Sequence, residues 1–249
     1  MLKDERHIQI LREIITHNKV RSSELSRKLK VSEDTIRRDL KELAEQGKIK
    51  KVHGGAMASS LMPFAYKQNN LYQLANKKRI AKKALPLLKN GQVVLIDGGT
   101  TNLEFVKFFP PELKIQVFTN ALPIAHVLSE HPAIEMTFLG GKILKSAKIS
   151  VGHEALQTLS EIYADLAFIG TRSIHPKLGI TAINREEAFL KKKMAESTAS
   201  VVSLVLSEKI GTIQPFKIIP PGQIQHLITE LAPTDAALQP FVEAGVEVI

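Results

Sequence analysis

The apolar positions of this chain follow two rhythms. In residues 4–17, DERHIQILREIITH, Ile8, Leu11, Ile14 and Ile15 recur at the three- and four-residue spacing of an amphipathic helix. The run SSELSRKLK repeats it, with Leu25 and Leu29 turned inward and Ser22 or Ser23 placed as the N-cap. After a break at Lys30-Val31, Ser32 is positioned to cap a third helix. Glu33 and Asp34 suit its positive end, Ile36, Leu40 and Leu43 form its buried stripe, and Gly47 is its expected stop. KIKKVHGGAM then predicts a short strand pair turning at Gly54-Gly55.

From residue 93 the rhythm changes. Short apolar runs begin at 93 (VVLI), 115 (IQVFT), 134 (IEMTFLG), 165 (DLAFIG), 201 (VVSLVL), 226 (HLIT) and 246 (VEVI). Helix-like stretches lie between them near 101–109, 121–130, 152–162, 185–198 and 234–244. Strands apolar on both faces, alternating with helices, predict a mostly parallel sheet covered by helices. Between the two rhythms, residues 59–73 read as a linker. LANKKRIAKKALPLLKNG predicts a helix with Ile80, Ala84, Leu87 and Leu88 inward and Lys77, Lys78, Arg79, Lys82 and Lys83 on its solvated face. The expected organisation is a small helical module over 1–58, a linker over 59–73 and an α/β module over 74–249.

Charge sharpens this division. Residues 1–58 hold 14 Lys and Arg against 9 Asp and Glu, a net +5 of the chain's +9, in under a quarter of its 249 residues. The chain has no cysteine, which removes disulfides and thiolate chemistry and fits a reducing compartment. The charged N-terminus lacks the apolar block of a secretory leader, and no apolar run approaches the roughly 20 residues of a membrane helix. A cytoplasmic location without a membrane partner is the expectation.

Two short helices, a tight turn, a basic third element and a two-stranded extension make a winged helix-turn-helix. Its recognition helix enters the major groove of double-stranded DNA with its first residues at the base edges. Arg37 and Arg38 are then placed to grip guanine or phosphate. Ser22, Ser32, Thr35 and Lys41 are expected near bases or backbone, and Lys50, Lys51 and His53 on the wing near flanking phosphates. An isolated basic helix is more often a wet face with i,i+4 pairs. That reading leaves the preceding helix, the break and the basic wing without a role.

In parallel α/β sheets, ligands bind beyond the carboxyl ends of the strands. The first strand is followed by Asp97-Gly98-Gly99-Thr100-Thr101, a pattern suited to a phosphate cradle opening a helix. Thr119-Asn120 follows the second strand, Gly140-Gly141 the third and Gly170-Thr171-Arg172 the fourth. Each alone reads equally well as a tight turn or a cap; four on one edge point to a small anionic ligand. Asp97, which would repel a phosphate, is assigned to ligand hydroxyls or to holding the loop. No Walker A run, helix-opening GxGxxG, HExxH or nucleophile elbow is present.

LSRKLKVSEDTIRRDLKELAEQGKIKKVHGGAM resembles the DNA-binding head of the DeoR/GlpR family of bacterial transcription regulators. DGGTT, TN, GG, DLAFIG, GIT and EEAFLKKKM are similar to that family's sensor domain. The resemblance implies a sensor of ribose-5-phosphate isomerase-like fold that binds a phosphorylated sugar as effector, without a cofactor. It implies a site at Asp97 to Thr101, Thr119, Asn120, Gly140, Gly141, Glu187, Lys191 and Lys209, and makes Asp39 an orienter of an arginine. Lys191 reads equally well as part of a lysine-rich wet face. The chain departs from the family at Leu206, where an acid is usual, at Glu230, which follows Thr229 in place of Asp, and in GTRSIHPKLGIT, which introduces Arg172 and His175.

These readings together predict a homodimeric or homotetrameric regulator, more specifically a repressor of carbohydrate genes. The alternatives are a sugar-phosphate isomerase tethered to DNA by its head, with Asp97 or Glu187 as base, and a sequence-tolerant architectural DNA binder.

Overall fold

The structure, a computed structural model, describes residues 2–17, 19–46, 48–58 and 73–249. It divides into two compact units, Met1–Ala65 and Tyr66–Ile249. The predicted helix stop at Gly47, and the predicted linker apart from Gln73, lie outside the described residues.

The first unit orders α1 (Lys3–His17), β1 (Lys19–Arg21), α2 (Ser22–Leu29), α3 (Glu33–Glu45), β2 (Ile49–Val52) and β3 (Gly55–Ala58). Ile10, Ile14, Leu25, Leu29, Ile36, Leu40 and Leu43 close one small core. Each fully buried aliphatic side chain contributes about 1.5–3 kcal/mol, so the unit rests on few residues. Ile10, not singled out from the sequence, is fully buried, whereas Ile8 and Leu11 flank the core half-buried. The wing is a three-stranded antiparallel sheet, β1-β3-β2, and β1 was not predicted. Its turn falls at His53-Gly54 rather than Gly54-Gly55. Gly54 takes the left-handed φ of 73°, while Gly55 pairs with Arg21, where a Cβ would stand 1.9 Å from the Val20 carbonyl oxygen.

The second unit begins with α4 (Leu74–Ala84) and a 3₁₀ turn, Leu85–Leu87. It continues through β4 (Val93–Ile96), α5 (Thr100–Val106), β5 (Gln116–Thr119), α6 (Leu122–Leu128) and β6 (Glu135–Phe138). Next come the antiparallel pair β7 (Lys142–Leu144) and β8 (Ile149–Val151), α7 (His153–Ser160) and β9 (Ala164–Gly170). β10 (Ser173–His175), β11 (Gly179–Ala182), α8 (Arg185–Glu196) and β12 (Thr198–Leu204) follow. The unit ends with β13 (Phe216–Ile219), β14 (His226–Ile228), α9 (Gln239–Glu243) and β15 (Glu247–Val248).

The seven predicted strands are the seven strands of one parallel sheet, ordered β15-β14-β12-β9-β4-β5-β6. The chain leaves β4 toward β5 and β6, then returns to β9 on β4's other side. The strand order therefore reverses between β4 and β9, which makes their carboxyl ends the switch-point crevice of the fold. The helices pack in two sets, α4 with α5 and α5 with α6, and α7 with α8. Phe168 of β9 meets Phe105 of α5 with ring centroids 4.5 Å apart in the core.

The solvated face predicted for α4 needs correction at Lys77, which is buried, and at Lys83, whose ammonium donates to the Thr229 and Leu231 carbonyls. Lys77, Ile80, Ala81 and Ala84 lie at i, i+3, i+4 and i+7, so position on the helix outweighs residue type. Leu87 and Leu88 lie beyond the helix end and are half-buried. β7, β8 and the sheet β10-β11-β13 were not predicted. The helix expected over 234–244 is confined to Gln239–Glu243.

Candidate functional site

Two surfaces carry the chemistry, one in each unit. In the first, Ser32 caps α3 as predicted, its hydroxyl accepting the Thr35 N–H at 3.2 Å and lying 2.9 Å from Thr35 Oγ1. Arg37 is exposed and pairs with Glu33 and Asp34 at 3.3 Å each. Arg38 is exposed and makes no hydrogen bond or ion pair among the described residues. Lys41, Lys50, Lys51 and His53 are exposed, and α3 packs on β2.

Ser22 departs from its predicted role. It is buried, its N–H donates to the Gly54 carbonyl, and Arg21 rather than a serine occupies the capping position of α2. Pairing of β1 with β3 places Ser22 inward, so its side chain is not on the exposed face of the head.

Asp39 does hold an arginine, but it is Arg6 of α1. Arg6 Nε and Nη2 donate to its two carboxylate oxygens at 2.5 and 3.1 Å, and His7 Nε2 lies 3.0 Å from Oδ1. The hydrogen bond to Asp39 raises the Arg6 pKa against the opposing effect of burial. This buried pair ties the recognition helix to α1.

In the second unit the site forms at the switch point. Asp97, at the end of β4, is fully buried. Its Oδ2 accepts the Gly170 N–H at 2.9 Å, and its Oδ1 accepts from Asn120 Nδ2 at 3.0 Å. Lys191 Nζ stands 3.2 Å from Asp97, 2.7 Å from Glu187 and 2.5 Å from the Gly170 carbonyl to which it donates. Burial raises the Asp97 pKa, with Lys191 and Asn120 opposing. Burial pulls the Lys191 pKa down, but Asp97 and Glu187 outweigh it and the net shift is upward. For Glu187, Lys191 and then Arg172 outweigh burial and the net shift is downward. Lys191 is therefore no wet-face lysine. It shares a buried stripe of α8 with Ala188 and Met194, while Lys192 is exposed.

Lys209 closes the other side. It ends the 3₁₀ turn Ser207–Lys209 and donates to the Thr171 carbonyl at 3.2 Å. Burial, and then Arg172, push its amine down to about 8. Leu206 is buried in the core, where the expected acid would be costly. Glu230 serves the turn instead, accepting the Ser207 N–H and hydroxyl. His175 ends β10, its Nδ1 accepting the Lys177 N–H from the turn that follows.

The Gly-rich segment differs from the predicted cradle. α5 is only seven residues long, and Thr100 and Thr101 are buried. Gly170 meets the Gly98 backbone because it lacks a side chain: a Cβ there would stand 1.9 Å from the Gly98 carbonyl oxygen, while a Cβ on Gly98 would stand 2.3 Å from Ile149 Cγ2. Gly99 is half-buried at the head of α5. Thr119 Oγ1 donates to the Ile96 carbonyl, joining β5 to β4. Gly140 and Gly141 are exposed and lead into β7 rather than into a helix. Ser150 of β8 donates to the Leu139 carbonyl and, through its N–H, to that of Asn120, bringing this hairpin against the site.

Sequence reasoning missed Asn102, whose Nδ2 donates to the Asp97 and Phe168 carbonyls and clamps the ends of β4 and β9. No spacing rule marks it, because its partners come from separate strands.

Residues 6–60 match the DeoR-like helix-turn-helix domain, and residues 72–231 match the DeoR C terminal sensor domain. The chain belongs to the DeoR family. It is 33% identical to the HTH-type transcriptional regulator GolR of Listeria innocua, over 100% of this chain and 98% of that protein. It is 30% identical to the HTH-type transcriptional repressor GlcR of Bacillus subtilis, over 100% of this chain and 96% of that one. A putative aga operon transcriptional repressor of Escherichia coli O157:H7 is 29% identical, over 98% and 93%. Among solved structures, ribose 5-phosphate isomerase A from Methanocaldococcus jannaschii aligns at 18% identity and a TM-score of 0.39, covering 53% of this chain and 52% of its own. eIF2B delta from Chaetomium thermophilum aligns at 17% and 0.46, covering 66% and 58%. This DeoR-family chain is thus a helix-turn-helix transcriptional regulator with a sensor domain. No helix among the described residues is long and apolar enough to cross a membrane.

Proposed function

We propose that this regulator is a repressor of carbohydrate-metabolism genes whose affinity for operator DNA is set by a phosphorylated sugar at the β4–β9 switch point. The observation that carries the reading is the buried Asp97–Lys191–Glu187 knot, beside two further cations, Lys209 and Arg172. Lys209 and Arg172 make no ion pair among the described residues, which leaves two cations for an anionic ligand. Asn120 is fully buried and its Oδ1 has no hydrogen-bond partner among the described residues, while its Nδ2 is committed to Asp97. A buried acceptor left open is matched by a sugar hydroxyl. The GlcR and aga operon relatives, both described as transcriptional repressors, support repression. Exposed Arg37, Arg38, Lys41, Lys50, Lys51 and His53 supply the DNA surface, with Ser32 and Thr35 at the start of the helix.

A head this small reads few base pairs, so we infer at least a homodimer on paired half-sites. We also infer that the sensor does not catalyse. An isomerase needs a free carboxylate base, whereas Asp97 and Glu187 are both bound to Lys191. The test is operator binding at fixed salt with sugar phosphates added singly. An intact compound that changes affinity supports the reading; a compound that is consumed overturns it in favour of an enzyme.

A further inference from the structure

Arg172 is a charged side chain that the family pattern does not account for. It follows β9 at the switch point, is half-buried, and makes no hydrogen bond or ion pair among the described residues. Of the carboxylates nearby, Asp97 and Glu187 are committed to Lys191, at 3.2 and 2.7 Å, Glu230 to Ser207, and Glu208 accepts from Gln73. Among the described residues, the Lys209 ammonium bonds only the neutral Thr171 carbonyl, at 3.2 Å. Arg172 and Lys209 therefore remain as like charges at one end of the crevice, each beside the strand tail Gly170-Thr171-Arg172. Their mutual repulsion contributes to the depression of the Lys209 amine to about 8. Glu187 acts on Arg172, and Glu208 and Glu230 on Lys209, but none of them bonds either cation among the described residues, and burial still leaves the Lys209 amine depressed; a bound dianion relieves that penalty.

We propose that Arg172 and Lys209 form a two-cation clamp for the phosphoryl group of the effector, with Arg172 the residue that determines preference for a phosphorylated over a neutral sugar. This rests on the effector reading above and adds an orientation to it. The phosphoryl end lies toward Arg172 and Lys209, and a hydroxyl lies toward the open Oδ1 of Asn120. The guanidinium offers the planar two-point grip that an ammonium lacks.

The test uses the full chain and isothermal titration with pentose and hexose monophosphates, their unphosphorylated parents and inorganic phosphate. The wild type is expected to bind one sugar phosphate. Arg172→Ala should weaken that binding by about 10- to 100-fold, and Arg172→Lys should recover only part of it. The parent sugar should be bound equally by wild type and variant. Because Arg172 makes no hydrogen bond or ion pair among the described residues and acts on Glu187 only at longer range, the unliganded Arg172→Ala protein should melt close to wild type, a result that a structural arginine would not give. Equal phosphate binding by wild type and Arg172→Ala would overturn the clamp while leaving the effector reading intact. So would a lowered melting temperature with binding unchanged in the better-folded Arg172→Gln. Failure of the wild type to bind any of the phosphates would overturn both.

Discussion

Glu230 holds Ser207. Both of its carboxylate oxygens lie 3.1 Å from the Ser207 N–H, and the Ser207 hydroxyl donates to Oε1 at 2.7 Å. The 3₁₀ turn that presents Lys209 has no cap from its own preceding residue, Leu206. A carboxylate from the end of β14 supplies that cap across the sheet edge. Glu230→Ala should cost about 1.5–3 kcal/mol, since hydrogen bonds to a charged group are lost. Scanning calorimetry should show the sensor transition lowered by several degrees. Leu206→Asp should not compensate, because position 206 is buried and an unpaired acid there adds a second penalty.

The Asp39–Arg6 pair should govern the stability of the head. Asp39→Ala leaves Arg6 half-buried without its acid, a loss of about 3–5 kcal/mol for a broken buried pair. A unit with so small a core has little reserve. Calorimetry of the full chain should show the head transition lowered or lost and the sensor transition unchanged, with DNA binding lost in parallel.

On the recognition helix, Arg38→Ala should cost about 1–3 kcal/mol of operator binding and relax discrimination at one base pair. Lys50→Ala should weaken all sequences alike and lower the salt slope by about one. Fluorescence anisotropy on single-base operator variants at several salt concentrations separates the two outcomes. Ser22→Ala should change neither base discrimination nor the salt slope, since Ser22 is buried.

Effector affinity should fall as pH rises past about 8, where free Lys209 loses its proton. Burial and Arg172 lower this amine, and Lys191 adds to them; Glu208 and Glu230 oppose. An anion binds the charged form, so binding near this pH takes up a proton. The stability sign is opposite. A lysine whose folded pKa lies below its ordinary 10.5 makes the folded state more stable as pH rises from about 8 toward 10.5. Titration in buffers of different ionisation heat reads the proton uptake, and Lys209→Met should abolish it.

Removing Lys191 should be more damaging than removing Lys209. Lys191→Met leaves Asp97 and Glu187 buried without their shared cation, at about 3–5 kcal/mol. Lys209→Met removes a cation already disfavoured by its surroundings. Chemical denaturation of the two variants should rank them in that order.

Much of this was legible along the chain. The seven apolar runs named all seven strands of the parallel sheet, because a strand buried on both faces must be apolar throughout. Ile36, Leu40 and Leu43 marked the buried side of α3, and Ser32 its cap. Asp97 and Asn120 were picked out as candidates by where they stood after strands, whereas Glu187 came only from the resemblance to the family. The short strands β7, β8, β10, β11 and β13 escaped, since three or four residues hold too little periodicity to separate strand from loop. Lys77 and Lys191 misled in the same way. Residue type says solvent, but each lies on the inward stripe of its helix.

By itself, then, the sequence determined the order of elements, the division into a basic head and an α/β sensor, and the edge of the sheet where ligand chemistry gathers. These follow from hydrophobic period, caps and charge, all local along the chain. Only the tertiary structure decided that Asp97 is spent on Gly170, Asn120 and Lys191, that Glu230 caps the turn bearing Lys209, and that Arg6 holds Asp39. Each joins residues more than 20 positions apart. Their contact depends on strand order and helix register, which no local pattern encodes.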